Sequence, residues 1–404
     1  MFQKNTILCR GAHLSYLSLP SNRFGGCRGE RVHKNNGTLV RLVASAFVLI
    51  QHAWMLAGKP DPAGSTGYLP WIGQIGVLMF FALSGYLLTK RILVEDIIKF
   101  IISRIFRIYP LLLFVNAIIM ILGLIITDRK TVSYFQEGAI KLIFGNIIFF
   151  GQQYLPGVRI GGEYIGDLGR SMNLAQWSLF YEIRAYVILV ILFIAGIIAD
   201  RRVFNGLLIV VITLQAGQTW LHFGDPRAFD VTLAFLFGVG ICVNNIKLDI
   251  RLAISALCFA SVATFLNLSY AGITQNLTVA ILTLYIAFGS APYMRAADTK
   301  VDLSYGMFLL HWPIMLTLTG WLPPNPWLLL TVGAGGTILI AYPLNRFVEE
   351  PSRLLGRKLG RCLSAAASIE RATTVIESSP SPRAEPPVAV ELAKSSTVTS
   401  HQLR

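Results

Sequence analysis

Apolar runs of about twenty residues recur along the chain, each closed by a short segment carrying Gly, Pro, Asn or basic residues. About twenty apolar residues is the length at which an α-helix crosses a hydrocarbon core roughly 30 Å thick. Read in order, the pattern predicts spans over 39–57, 71–88 and 109–126, and then over 175–199, 203–222, 230–245, 252–268, 274–294, 302–320 and 327–347. The expected fold class is all-α, a polytopic membrane protein of about ten transmembrane helices.

One run does not fit. Ile140 to Phe150 is apolar but only about a dozen residues long, too short to cross. If it crossed, Asp200-Arg-Arg and every later basic loop would lie on the far side of the membrane from Lys90-Arg91. Basic loops gather on the cytoplasmic face, so 127–172 is expected on the outer face with one non-spanning helix in it. Lys99, Arg104 and Arg107, set among Ile and Phe, read as a basic amphipathic helix at the membrane surface. Tyr109-Pro110 then opens the third span. The domain reading is a basic cytoplasmic tail over 1–38, a ten-span domain over 39–353 and a cytoplasmic tail over 354–404. That last tail is expected to be disordered from 363 onward, where Ser, Thr, Ala, Pro and Glu dominate.

Composition agrees with this class. The chain is 54% hydrophobic and 14% charged, against about 25% charged in a soluble domain. A formal net charge of +14 is compatible with nucleic acid as a partner, but the basic residues sit mostly in the segments between spans and in the first forty residues, so none is expected. The first 38 residues hold Lys4, Arg10, Arg23, Arg28, Arg31 and Lys34 against Glu30 alone, without an apolar stretch for a signal-peptide core. The five cysteines form no CxxC pair, so neither a disulfide framework nor a metal site is expected.

Candidate chemistry lies in polar groups inside the apolar runs. Ser45, Thr213 and Thr278 suit ordinary interhelical hydrogen bonds. Ionisable groups are costly at membrane depth and mark functional sites by default. His52 lies eleven residues beyond Arg41, about 16 Å along a helix and so near mid-membrane. His311 is mid-span beside Pro313, and Glu182 lies about two turns into its span. A neutral imidazole in an apolar cavity is a suitable general base toward a hydroxyl, and a carboxylate nearby would orient it or stabilise its charged form. At the cytoplasmic face Arg41, Arg104 and Arg107 suit a phosphorylated ligand, although anionic lipid headgroups would attract the same residues. Ser84 and Tyr86 add hydroxyls near the inner end of the second span.

These stretches occur in the order seen in the acyltransferase-3 family of bacterial integral membrane acyltransferases, which the chain resembles from about Asn35 to Arg353. The resemblance rests on Arg41 and His52 at an Arg-x10-His spacing, Phe80-Phe-Ala-Leu-Ser-Gly-Tyr-Leu87, Arg104-Ile-Phe-Arg-Ile-Tyr-Pro110, Trp177-Ser-Leu-Phe-Tyr-Glu182 and Phe235-Leu-Phe-Gly238. Ser304-Tyr-Gly-Met-Phe-Leu-Leu-His311-Trp-Pro and Glu350-Pro351 complete it. It implies a multi-pass protein of the bacterial cytoplasmic (inner) membrane; the loop charges and ten spans place both termini in the cytoplasm. The resemblance also implies transfer of an acyl group, most often acetyl in the family, from acyl-CoA to a hydroxyl of an envelope or secreted carbohydrate.

By resemblance His52 takes the essential histidine's position, with Glu182 and His311 as further catalytic candidates. Arg41, Arg104 and Arg107 handle the donor, with Ser84 and Tyr86 beside them. No permanently bound cofactor is implied; acyl-CoA is a substrate, the bilayer and a carbohydrate acceptor are partners, and polysaccharide-assembly proteins are candidate ones. Phe180-Tyr181 departs from the smaller residues of many relatives, and no esterase-like domain is expected in this sequence. A proton-coupled exporter of a saccharide, or a scaffold in an envelope assembly, are the competing readings. The exporter lacks the repeated broken helices such folds show, and the scaffold leaves the buried ionisable groups without a role.

Overall fold

The computed structural model describes residues 36–64, 69–127, 129–140, 158–160, 163–164, 172–266, 268, 271–289 and 301–378. They form a helical bundle: α1 Gly37–Leu56, α2 Ile72–Ile92, α3 Ile97–Ile126, α4 Trp177–Ile194, α5 Arg201–Leu221 and α6 Pro226–Val243, followed by α7 Ile250–Phe265, α8 Ala271–Phe288, α9 Ser304–Leu318, α10 Pro326–Leu344 and α11 Glu350–Ser378. Among the described residues eight helices are long and apolar enough to cross a membrane. The shorter α7 and α9 bring the set to the ten predicted segments. The protein is therefore an all-α multi-pass membrane protein. Its one sheet, among the described residues, is a hairpin of β1 Arg159–Ile160 and β2 Glu163–Tyr164.

Helix starts follow capping chemistry more closely than hydropathy. An N-cap side chain accepts from the otherwise unpaired amides of the first turn. Asp96 caps α3, Asp200 caps α5, Asp225 caps α6, Asp249 caps α7 and Asn325 caps α10. Pro226 and Pro326 occupy the first turns of α6 and α10, where a missing N–H costs nothing. The sixth helix accordingly begins at Pro226 and not at 230. In the loop before α2, the Asp61 carboxylate accepts from the amides of Ala63, Gly64 and Ile72, so it fixes that helix's first turn as well.

Two expectations need correcting. The basic surface helix and the third span are one 30-residue helix, α3, with Pro110 inside it. In lipid a helix break would strand backbone groups, so the helix carries the proline through. The chain is also helical well past 363, because α11 runs to Ser378. It packs along the first half of α3, where Ser364 hydrogen-bonds Asp96; residues 379–404 lie outside the described residues. The non-spanning helix expected near 140–150 lies outside them too, apart from Ile140. Leu174 and Trp177 line a cavity with Met55 and Trp71, so α4 enters the bundle from the end where α1 leaves it and α2 starts.

Helix α2 is the central post, packed on α1, α6 and α8. Its contact with α6 is backbone against backbone: a side chain at Gly85 would meet the Phe235 carbonyl, and one at Gly238 would meet the Ala82 carbonyl and the Tyr86 amide. Small residues that let helices approach this closely drive association in lipid, where hydrophobic burial between helices contributes little. Gly238→Leu should therefore separate α2 from α6 and lower stability by about 1–3 kcal/mol or more. Thermal unfolding of the detergent-solubilised protein, followed by size exclusion, reads this; an unchanged melting profile would show that the close approach does not matter.

Candidate functional site

The N-terminal end of α1, the C-terminal end of α2 and the start of α3 gather basic residues at one end of the bundle. Arg41, Arg91, Arg104, Arg107 and Arg353 line a cavity of about 320 Å³ there. Arg104 and Arg107 are three apart, so one helix face presents both. Asp302, just before α9, bonds Arg41 at 2.7 Å and lies 4.0 Å from Arg107. It also accepts from Ser304 Oγ at 2.5 Å. Ser45 Oγ, one turn past Arg41, lies within hydrogen-bond distance of the Arg41 and Ser304 carbonyls, so α1 and α9 are clamped together at this level.

About 16 Å further along α1 stands His52, 6% exposed, against His311, fully buried. His52 Nδ1 and His311 Nε2 are 2.6 Å apart, and His311 Nδ1 is 3.0 Å from the Met307 carbonyl. A carbonyl only accepts, so His311 Nδ1 carries its proton there. In the neutral ring Nε2 is then the acceptor, His52 Nδ1 donates to it, and His52 Nε2 is left with a free lone pair. The rings lie nearly parallel, 13° apart with centroids 4.9 Å apart, and Trp312 meets His52 edge-on at 4.8 Å.

Pro313 explains how α9 is held at this point. It has no N–H for the Leu309 carbonyl one turn back, and Asn173 Nδ2 donates to that carbonyl at 2.7 Å instead. Tyr305, at the foot of the same helix, donates to the Ile108 carbonyl at 2.8 Å. The helix that carries His311 is thus pinned at two points in the turns leading up to it.

His52 lines a second cavity of about 380 Å³ toward the other end of the bundle, with Gln51, Gln74, Trp71, Trp177, Arg227 and Asp230. Val77 and Phe308 line both cavities. The two chambers therefore meet at one apolar level, beside the histidines. At the far rim Asp225 accepts from Tyr181 at 2.7 Å and pairs with Arg227. Burial alone would raise its carboxyl, but those partners outweigh burial and hold it below the usual carboxylate range.

The structure brings most of the sequence-derived candidates together, though not as expected. Arg41, Arg104, Arg107 and Ser84 share the first cavity. Tyr86 is not among its lining residues: its ring packs on Phe288 at 4.7 Å with Lys90 Nζ over it. Glu182 lines the arginine cavity, hydrogen-bonded by Tyr186, so it faces the basic end and does not orient His52. The sequence reading missed Asp302, Arg353 and Asp230. Arg353 sits at a helix junction whose charges read as topology, and Asp302 and Asp230 each stood as the first residue of a predicted span.

A sequence profile of the acyltransferase-3 family, described as an acyltransferase domain, matches residues 38–346, and the chain belongs to that family. It is 28% identical over 374 residues to nodulation protein 10 of Rhizobium leguminosarum bv. viciae, covering 83% of this chain and 97% of that one. To the O-acetyl transferase of Shigella phage Sf6 it is 27% identical over 310 residues, 70% of this chain and 85% of the phage protein. To the peptidoglycan O-acetyltransferase OatA of Listeria monocytogenes it is 26% identical over 345 residues, 70% of this chain and 52% of that protein. No solved structure gives a significant match. The protein is a membrane O-acyltransferase, and the exporter and scaffold readings fall with that assignment.

Loss of the Asn173 bond should loosen α9 at His311. Asn173→Leu leaves the Leu309 carbonyl without a partner at a cost of about 1–3 kcal/mol. Thermal unfolding in micelles should show that loss together with reduced transferase activity. Full stability in this variant would mean that the carbonyl finds another donor.

Proposed function

We propose that the protein moves an acyl group, most simply acetyl, from acyl-CoA to a hydroxyl of an envelope or secreted glycan. The supporting observation is the His52–His311 pair at the level where an arginine-lined cavity meets a second cavity. In this reading the basic end faces the cytosol of a bacterial inner membrane, because the basic loops lie there, and both termini lie on that side. A coenzyme A diphosphate is held by Arg41, Arg104 and Arg107, since guanidinium groups match phosphate oxygens geometrically. The pantetheine arm extends along α1 toward Val77 and Phe308, over the roughly 16 Å between Arg41 and His52.

Transfer then needs one base. His52 Nε2 takes the proton of the acceptor hydroxyl as its oxygen attacks the thioester carbonyl. The tetrahedral intermediate collapses, the C–S bond breaks, and the proton passes from His52 to the departing thiolate, so CoA leaves as its thiol. His311 fixes the tautomer of His52 and shares the charge that His52 acquires. Glu182 and Tyr186 lie among the arginines in the donor cavity, a position suited to setting guanidinium orientation.

His52→Ala should lower acetyl transfer at least 100-fold, in line with loss of a positioned general base, with normal membrane insertion. Arg104→Ala with Arg107→Ala should instead raise KM for acetyl-CoA about tenfold or more while leaving the histidine chemistry in place. Label transfer from radiolabelled acetyl-CoA in membrane vesicles separates the two effects. Wild-type rates in His52→Ala would remove His52 from the reaction.

A further inference from the structure

Resting on the glycan reading above, we propose that the second cavity is the saccharide acceptor site and that Asp230 is the residue that grips the sugar. Asp230 stands one turn inside α6. Its Oδ1 accepts from Gln215 of α5 at 2.7 Å and from Asn276 of α8 at 2.6 Å, and its Oδ2 accepts from Gln74 of α2 at 3.1 Å. Three neutral amides from three helices thus aim at one carboxylate. Arg227, the nearest cation on the same helix, is committed to Asp225 at 3.2 Å and lies over the Trp177 ring at 5.4 Å.

This arrangement fixes the carboxylate without neutralising it. An ionised carboxylate offers about four lone-pair sites, and three are taken, which leaves one on Oδ2 for a further hydrogen. Gln215 turns its NH2 toward Asp230 although its own Oε1 is then buried without a partner, a loss that an apolar helix contact would not require. If Asp230 served only to tie the helices together, a neutral group would do so at far less desolvation cost. A hydroxyl-rich ligand is the chemistry that uses an open carboxylate lone pair.

The walls fit the same ligand. Trp71 and Trp177 line the cavity as broad apolar surfaces that accept the C–H face of a pyranose, while Gln51, Gln74 and Asp230 meet its hydroxyl rim. His52 lines the same chamber, so a sugar held by Asp230 presents another of its hydroxyls to the base. The cavity, about 380 Å³, falls within the range of small-molecule sites, enough for the reacting sugar of a longer chain whose remainder stays outside.

Membrane vesicles from cells that carry the natural acceptor, supplied with radiolabelled acetyl-CoA, test this through two variants, Asp230→Asn and Trp71→Ala. Label in carbohydrate should fall about tenfold or more in Asp230→Asn and should fall in Trp71→Ala, while CoA binds each purified variant with the wild-type Kd. Loss of CoA binding along with transfer in Asp230→Asn would make Asp230 a structural tie and overturn its assignment. If that variant fails to fold, Trp71→Ala, altered at an exposed cavity wall, decides alone, and wild-type transfer in it overturns the acceptor site. Wild-type transfer in both variants overturns the proposal while leaving the glycan reading intact. Absence of label in carbohydrate with the wild-type protein overturns the glycan reading itself.

Discussion

Two imidazoles sharing one hydrogen in an apolar bundle need something to set the direction of that bond, and the Met307 carbonyl sets it. It claims the proton on His311 Nδ1, which turns His311 Nε2 into an acceptor and His52 Nδ1 into a donor. The lone pair on His52 Nε2 follows from that chain of constraints. His311 holds its place because α9 is pinned: Asn173 takes up the carbonyl that Pro313 abandons, and Tyr305 anchors the foot of the helix on α3. Removing any link loosens the pair that the proposed chemistry requires.

Lipid imposes the other constraint. Ionisable groups at membrane depth are tolerated where they face a cavity or a partner, so the two chambers and the polar residues imply each other. The arginines crowd one chamber with Asp302 and Glu182 as their counter-charges, and Asp230 and His52 share the other. Val77 and Phe308, common to both, put an apolar partition at the level where a thioester would have to meet a hydroxyl. The close approach of α2 to α6 through Gly85 and Gly238 holds this partition, since Val77 lies on one of those helices and packs into the common core.

Much of this was legible in the sequence. Apolar length alone located the ten spanning segments, and the spacing of Arg41 and His52 on a single helix translated directly into a distance. The start of α6 was misplaced because hydropathy was read ahead of capping: Asp225-Pro226 was a visible signal of a helix start. The error at α6 also concealed Asp230, which stood at the border of a predicted span when it belongs one turn inside. Pro110 was read as a boundary by rules that hold in water and relax in lipid. The histidine pair, 259 residues apart, had no local signature; only the packing of α1 on α9 brings the rings together. Glu182 was read as a carboxylate that could lie near His52, and it lines the arginine cavity; depth along a helix does not say which of two cavities its face meets.

In the proposed reaction the donor phosphates and the reacting carbonyl lie at opposite ends of one α1-lined path. A structure of the protein with coenzyme A bound tests it most directly. The diphosphate should lie on Arg41, Arg104 and Arg107, with the thiol sulfur between Val77 and Phe308, close enough that a carbonyl on it would meet an acceptor oxygen about 3 Å from His52 Nε2. A coenzyme bound in another cavity, or one whose thiol points away from His52, would contradict it.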